Sequence, residues 1–389
     1  MSILAKYYLP ALISFLCGIV IIPFLVKIAK KRKIMDNPNS RKVNKNAVPT
    51  LGGIAIYIGF VLSTLIFNTI VKPLDLLGII LGITIIIGLG IFDDLKNLSA
   101  RTKLLFISLA LLTVIIFSGL SFCNFHNFMG IRECPYPSGI IITLFAGIVI
   151  INGFNLIDGI DGLASGLALQ ISFVLGTWFA LVGLHNFAVM AFSLSGGCFA
   201  FFFYNVFGKK NKIFMGDTGS LLIGIIVFIL ATKFNQFTAG YTGDYAIKSA
   251  PAVLIGILAY PLFDVLRVFA LRIIVLKKSP FKPDKNHLHH RLLAFGMNHL
   301  QATLTILAVN QLFIAGAFVL QKYLGVFELT CVILSATIIL SLILEMVILC
   351  TKKIKPNDKY QHLFLPGFLV SHVNNKASIF QANKTSTKN

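Results

Sequence analysis

The chain has 389 residues, of which 57% are hydrophobic and only 12% charged, with a formal net charge of +20 and a mean hydropathy of +0.86. A soluble chain of this length would carry about 25% charged residues, so a soluble enzyme is excluded. The 35 Phe and the long Ile/Leu runs exclude disorder, because such segments collapse. What remains is an all-α polytopic integral membrane protein. Eleven apolar runs are long enough to span a bilayer, which takes about 20 residues each: 9–29, 51–71, 74–93, 104–121, 138–157, 163–183, 186–207, 219–239, 250–274, 302–322 and 326–350. They are hydrophobic nearly all round, so helices in lipid fit and alternating β-barrel strands do not.

Lys and Arg set the orientation. With the N-terminus outside and the C-terminus inside, 28 of the 34 fall on the inner side. Lys6, Lys72, Arg132, Lys233, Lys248 and Lys322 fall outside. Nucleic-acid binding is not needed to explain the net charge, since topology and attraction to anionic lipid heads account for it. The expected organisation is a membrane domain over 1–350 and a polar cytoplasmic tail over 351–389. No cleavable signal peptide is evident. Cys123 and Cys134 share one outer loop and could pair if that side is oxidising.

Seven of the 14 acidic residues, Asp36, Asp93, Asp94, Asp158, Asp161, Asp217 and Asp284, fall in inner loops or at inner helix ends. Charge at a membrane is costly and marks candidate sites. The first inner loop carries Asp36-Asn-Pro-Asn-Ser-Arg-Lys42 and then Pro49-Thr-Leu-Gly-Gly53. Arg41 and Lys42 precede a Gly-Gly helix entry where backbone can approach an anion. The second reads Asp93-Asp94-Leu-Lys-Asn-Leu-Ser-Ala-Arg-Thr-Lys103. Its adjacent carboxylates are either solvated loop residues or the partners of a cation such as Mg²⁺. The third, Asn152-Gly-Phe-Asn155-Leu-Ile-Asp158-Gly-Ile-Asp161-Gly, spaces Asn155, Asp158 and Asp161 by three, which on a helical turn places them on one side. The fourth, Phe214-Met-Gly-Asp217-Thr-Gly-Ser220, precedes a span. There Asp217 or Ser220 could cap the helix, or the helix N-terminus could hold phosphate. The fifth, His287-Leu-His289-His290-Arg291, reads as zinc ligation or as phosphate and sugar contact. Asp264 and Arg267, three apart, read as an ion pair on one helix. The single histidines at 126, 185, 299, 362 and 372 read as incidental.

Taken together, these loops present Asp, Asn, His, Arg, Lys and Gly at one membrane face, a mixture that suits Mg²⁺ plus phosphate. The five segments, in this order over roughly residues 20–300, resemble the polyprenyl-phosphate N-acetylhexosamine-1-phosphate transferases, the family that includes MraY, WecA and TagO. The resemblance implies transfer of a sugar-1-phosphate from a UDP-sugar to undecaprenyl or another polyprenyl phosphate, with UMP leaving. It implies Mg²⁺, with Mn²⁺ as a substitute, held by Asp217 and Asn155. Asp93 and Asp94 match the family's DD pair, as base or as positioning groups, and Lys103 matches a phosphate-contacting lysine. A phosphate monoester has a second pKa of about 6, so the lipid phosphate is already anionic and can attack without a base. Asp158 and Asp161 match donor-binding positions, Asp161 near the uracil. His287, His289, His290 and Arg291 match the loop gripping the nucleotide sugar, and Arg41 and Lys42 join the substrate-binding set. The HLHHR form and the DNPNSRK and PTLGG segments are similar to the WecA/TagO branch, which implies UDP-GlcNAc as donor. Asn44 stands where that branch has a His. An MraY-like donor and, from another class, a secondary transporter are the rival readings. Location in a bacterial inner membrane and a homodimer are further implications.

Overall fold

The computed structural model describes residues 5–36, 47–68, 73–275, 277 and 286–351. In lipid every backbone polar group must bond internally, and the apolar runs accordingly form helices. In chain order these are α1 (Ala5–Arg32), α2 (Gly52–Phe67), α3 (Pro73–Lys96), α4 (Ala100–Ser118), α5 (Tyr136–Ile157), α6 (Leu163–Leu181), α7 (His185–Phe207) and α8 (Gly216–Thr238). There follow α9 (Ala250–Ile257), α10 (Ala259–Ala270) with a π-helical turn at Leu271–Val275, α11 (Leu288–Phe295), α12 (His299–Leu320) and α13 (Val326–Thr351). Two short antiparallel hairpins lie between helices. One pairs β1 (Met35–Asp36) with β2 (Val48–Pro49), and the other pairs β3 (Asn124–Phe128) with β4 (Ile131–Glu133).

Each of the eleven apolar runs carries a helix. Among the described residues nine helices are long and apolar enough to cross a membrane. The run at 51–71 yields a helix of only 16 residues, α2. The run at 250–274, expected as one span, is two helices bent by 80°. Pro261 supplies the reason. A proline has no N–H and its ring crowds the carbonyl four residues back, here that of Ile257. Asn310 of α12 fills in for the lost bonds. Its Nδ2 donates to the Ile257 carbonyl at 3.3 Å and to Gln170 Oε1 at 2.9 Å, and its Oδ1 accepts from the Tyr260 N–H at 3.1 Å. Asn310→Leu would strand two backbone groups in an apolar interior. It is expected to lose about 2 kcal/mol or more of stability, measured as thermal unfolding in detergent, with a smaller loss for Gln170→Leu.

α8 is the most buried of the spans and packs against α2, α3, α5, α6 and α9. α1, α2, α6 and α7 pack around one another beside it. By contrast α1 turns Leu9, Leu12, Leu16, Val20 and Phe24 outward, as a lipid-facing stripe would be. The chain divides into two compact units, Met1–Val265 with Lys285–Ile333, and Leu266–Asp284 with Leu334–Asn389. The site described next lies within the first. Cys123 and Cys134 are free thiols here, joined through the backbone by a Cys134 N–H to Cys123 carbonyl bond of 2.9 Å.

Candidate functional site

The buried helix α8 begins in the middle of four other loop or helix ends. The hairpin β1–β2 brings the two ends of the first loop together. Beyond it the chain runs alongside the fourth loop in the same direction: the Phe214 N–H donates to the Pro49 carbonyl at 2.7 Å, and the Gly52 and Gly53 N–H groups donate to the carbonyls of Phe214 and Met215, each at 2.9 Å. A Cβ at Gly53 would collide with the backbone of Gly219, so α2 and α8 can cross this closely only through glycine. Arg41 and Lys42 lie outside the described residues.

The cap of α8 comes from another helix. Asp94, near the end of α3, accepts from the Asp217 N–H at 2.7 Å, the Thr218 N–H at 3.2 Å and the Thr218 hydroxyl at 2.6 Å. The two N–H groups are orphan donors of a helix N-terminus. Neither Asp217 nor Ser220 therefore has to cap, and the Asp217 carboxylate is left for other partners. Its Oδ2 accepts from Lys103 Nζ at 2.7 Å and its Oδ1 from Asn155 Nδ2 at 2.8 Å. Asn155 also donates to Ser220 Oγ at 3.0 Å.

Lys103 reaches a second carboxylate, Asp93, whose side chain is almost fully buried. The other oxygen of Asp93 accepts from the Leu98 N–H at 2.7 Å. The two neighbouring aspartates thus do different things. Asp94 ends on backbone and a hydroxyl, Asp93 on an ammonium. Ser99 places that ammonium by starting α4, its hydroxyl accepting from the Thr102 N–H at 3.2 Å.

The third loop does not form the single helical face that its spacing predicts. α5 ends at Ile157, with Asp158 as its C-cap. Gly162 takes a left-handed backbone, φ +80°, and turns the chain into α6. Asn155 therefore lies on a helix, while Asp158 and Asp161 lie in a turn. Asp161 Oδ2 accepts from Lys212 Nζ at 2.7 Å and from His299 Nδ1 at 3.0 Å. Burial pushes its carboxyl up, but the His299 and Lys212 contacts outweigh it and hold Asp161 below the usual carboxylate range. Asp158 has the opposite fate. Burial, with the carboxylates of Asp217, Asp94 and Asp161 adding to it, pushes its carboxyl up to about 8.

An unfolded Asp titrates near 3.9. The stability that protonated Asp158 contributes is then full below that value and is lost as pH rises through about 8. Asp158→Asn removes this dependence. Its melting temperature relative to wild type is expected to climb between about pH 4 and pH 8 and to level off above. A difference that stays flat across this range would contradict the assignment.

The fifth loop docks on the third. A Cβ at Gly159 would run into the imidazole of His289, which is fully buried. His289 in turn faces His287 and His290, at ring separations of 5.6 and 4.3 Å. His287 Nδ1 lies 2.7 Å from Asp264 Oδ2, and the Leu288 N–H donates to Asp264 Oδ1 at 2.9 Å. Asp264 thus holds the start of α11, a role that its spacing from Arg267 does not reveal. Arg291 sits in the first turn of α11, its N–H donating to the His287 carbonyl at 3.2 Å.

The structure therefore joins Asp93, Asp94, Lys103, Asn155 and Asp217 in one contact network. Asp158 feels that network electrostatically. Asp161 and the His287–Arg291 loop stand beside it through Gly159. Sequence reasoning passed over His299 and Lys212. A lone histidine and one lysine in a basic loop carry no local signal; only their convergence on Asp161 does.

Among the described residues no group of three or more His, Cys, Asp or Glu is arranged to hold a metal ion, which speaks against zinc at the HLHHR loop. Asp217 and Asn155 can each offer oxygen, the first its carboxylate and the second its amide Oδ1, once the amide turns over from the arrangement in which Nδ2 faces Asp217. Mg²⁺ takes one or two carboxylates and completes its shell with substrate phosphate and water. These residues fit such an ion, brought in with phosphate.

A family model described as glycosyl transferase family 4 matches residues 76–235. The probable undecaprenyl-phosphate N-acetylglucosaminyl 1-phosphate transferase of Bacillus subtilis (strain 168) is 35% identical, over 90% of this chain and 94% of that protein. The undecaprenyl-phosphate alpha-N-acetylglucosaminyl 1-phosphate transferase of Escherichia coli (strain K12) is 30% identical, over 77% and 80%. That of Salmonella typhi is also 30% identical, over 81% and 84%.

Proposed function

We infer what the chain does from what it is: it belongs to the family of undecaprenyl-phosphate N-acetylglucosaminyl 1-phosphate transferases. It transfers N-acetylglucosamine 1-phosphate to undecaprenyl phosphate. The donor is UDP-GlcNAc. An oxygen of the lipid phosphate attacks the sugar-bearing phosphorus, the bond between the two phosphates of the donor breaks, and UMP leaves. The product is a lipid-diphosphate-linked sugar that begins a cell-surface glycopolymer.

The observation that carries this reading is the network at the start of α8. Asp94 fixes the helix end by accepting from its N–H groups, which leaves the Asp217 carboxylate to face the site. Lys103 supplies a cation for phosphate oxygens. Asp217 and Asn155 would hold Mg²⁺, which neutralises charge developing on bridging phosphate oxygens. Phosphoryl transfer is mostly positioning and charge stabilisation, and the network supplies both. His287, His289, His290 and Arg291 are assigned to the nucleotide sugar, and Arg41 and Lys42 to the substrate-binding set. The protein sits in the bacterial inner membrane with eleven spans, the N-terminus outside and the tail 351–389 in the cytoplasm. The site then opens to the side where nucleotide sugars are found.

The test is UMP release by purified protein with undecaprenyl phosphate, with and without Mg²⁺. Release from UDP-GlcNAc that needs Mg²⁺ and drops at least about a hundredfold in Asp217→Asn is expected. Release only from UDP-MurNAc-pentapeptide would make the enzyme MraY-like. Solute uptake by vesicles without UMP release would make it a transporter.

A further inference from the structure

Helix α11, which carries Leu288, His289, His290 and Arg291, is held at both ends and in the middle. Its start is tied to α10 through His287 and Asp264. Its middle rests on the third loop, where His289 meets Gly159. Its far end leads within three residues into α12. That short connection is rigid. Gly296 adopts a left-handed backbone, and Asn298 forms a reciprocal cap with Gln301: Asn298 Oδ1 accepts from the Gln301 N–H and Gln301 Oε1 from the Asn298 N–H, each at 2.9 Å. The next residue is His299. A bond made by His299 is therefore a bond on the far end of α11.

His299 makes that bond to the third loop. Its Nδ1 lies 3.0 Å from Asp161 Oδ2. The Asp161 N–H also lies 3.4 Å from Nδ1; the shorter contact to the carboxylate, which only accepts, is a hydrogen bond when Nδ1 carries the proton. Lys212, from the loop leading to α8, donates to the same oxygen at 2.7 Å. One turn further along α12, the Thr303 hydroxyl donates to the Asp161 carbonyl at 2.8 Å. On the other side of the turn, the Gly162 N–H donates to Asn205 Oδ1 at 2.6 Å. The side chains of His299, Lys212 and Asp161 are 21%, 27% and 12% exposed, so the cluster sits at the rim of the site and not in the packed core.

We propose that His299 is a positioning residue for the nucleotide-sugar donor: with Lys212 it latches Asp161, and so locks helix α11 onto the Asp158–Gly162 turn. This rests on the donor reading above. The two halves of the donor grip come from segments more than 100 residues apart in sequence, and this latch fixes their spacing. Without it, α11 keeps its Asp264 anchor and its contact at Gly159, and its far end is tied to the turn only through the Thr303 bond to the Asp161 carbonyl. A grip held at the right separation before binding does not have to be ordered by the ligand. Loss of the latch therefore weakens donor binding and leaves the phosphoryl-transfer network at Asp93, Asp94, Lys103 and Asp217 untouched.

The experiment compares wild type, His299→Ala, His299→Asn and Lys212→Met in full-length detergent-purified protein. Steady-state UMP release gives KM for each substrate. Thermal unfolding with and without UDP gives nucleotide binding without turnover. The expected result for His299→Ala is a donor KM raised about tenfold or more. Its kcat and its KM for undecaprenyl phosphate should stay within about twofold, and protection by UDP should be lost. His299→Asn, which keeps an N–H donor near the position of Nδ1, should recover much of the donor KM, and Lys212→Met should follow His299→Ala in direction.

An unchanged donor KM in folded His299→Ala would overturn the proposal. A fall in kcat with a shifted pH profile and constant KM would also overturn it, pointing to proton transfer instead. So would a loss of thermal stability that is equal with and without UDP, which marks a purely structural contact. If His299→Ala does not fold, Lys212→Met carries the test. If wild type fails to use UDP-GlcNAc, the donor reading fails, and the difference in UDP protection between wild type and variants still decides the latch.

Discussion

Asp94→Ala is expected to abolish UMP release, by about a thousandfold or more, and at the same time to lower thermal stability by about 3 kcal/mol. Both losses have one cause. Asp94 accepts from the Asp217 N–H, the Thr218 N–H and the Thr218 hydroxyl, and all three donors lie at the start of the most buried helix. Removing the carboxylate strands two helix-terminal N–H groups and lets Asp217 drift from Lys103 and Asn155. Asp94→Asn keeps an acceptor oxygen and should retain much of the stability and a measurable rate. A residue acting as a general base would lose the reaction equally in Ala and Asn, with no change in melting temperature. Asp93→Asn separates the neighbours: its carboxamide can still accept from the Leu98 N–H, so the rate should fall with little loss of stability. Single-turnover UMP release and thermal unfolding on the three variants decide this. Wild-type stability in Asp94→Ala would sink the capping role.

Lys103→Met should be the most damaging single change to the charge balance. The ammonium contacts Asp93, which is only 2% exposed, and Asp217. Removing one partner from a buried pair leaves an uncompensated charge and costs about 3 kcal/mol. Turnover should fall below about 1% of wild type if, as proposed, Lys103 supplies the cation for phosphate oxygens. The double variant Lys103→Met/Asp93→Asn should regain most of the stability and none of the activity. If Asp217 holds the ion as proposed, Mg²⁺ should raise the melting temperature of Lys103→Met more than that of wild type, since ion and ammonium would both neutralise the Asp217 carboxylate. Equal Mg²⁺ shifts in the two proteins would show that they do not share that charge.

Much of the fold is legible in the chain because lipid leaves few options. Apolar runs of about 20 residues must be helices in a bilayer, and all eleven carry one. The exceptions are local. Pro261 breaks the run at 250–274, and the compensating partner, Asn310, comes from another helix about 50 residues later, where no periodicity could find it. The site was legible by residue type. Asp93, Asp94, Lys103, Asn155 and Asp217 do meet, because a charge near a membrane is kept only where something uses it.

What composition and spacing determined by themselves was therefore the class of protein, its helices, and a set of polar residues several of which meet at the start of α8. Roles were decided by tertiary structure. Two adjacent aspartates look alike in sequence, yet one caps a helix and the other pairs with an ammonium. Asp158 and Asp161, three apart, are pushed in opposite directions because only Asp161 meets Lys212 and His299. His299 read as incidental and turned out to bind Asp161. The physical reason is the same in each case. Burial in lipid is dictated by the residue's own transfer free energy, which sequence records, whereas a polar group's function depends on which donor or acceptor lies within about 3 Å of it, and that neighbour is supplied by a distant part of the chain.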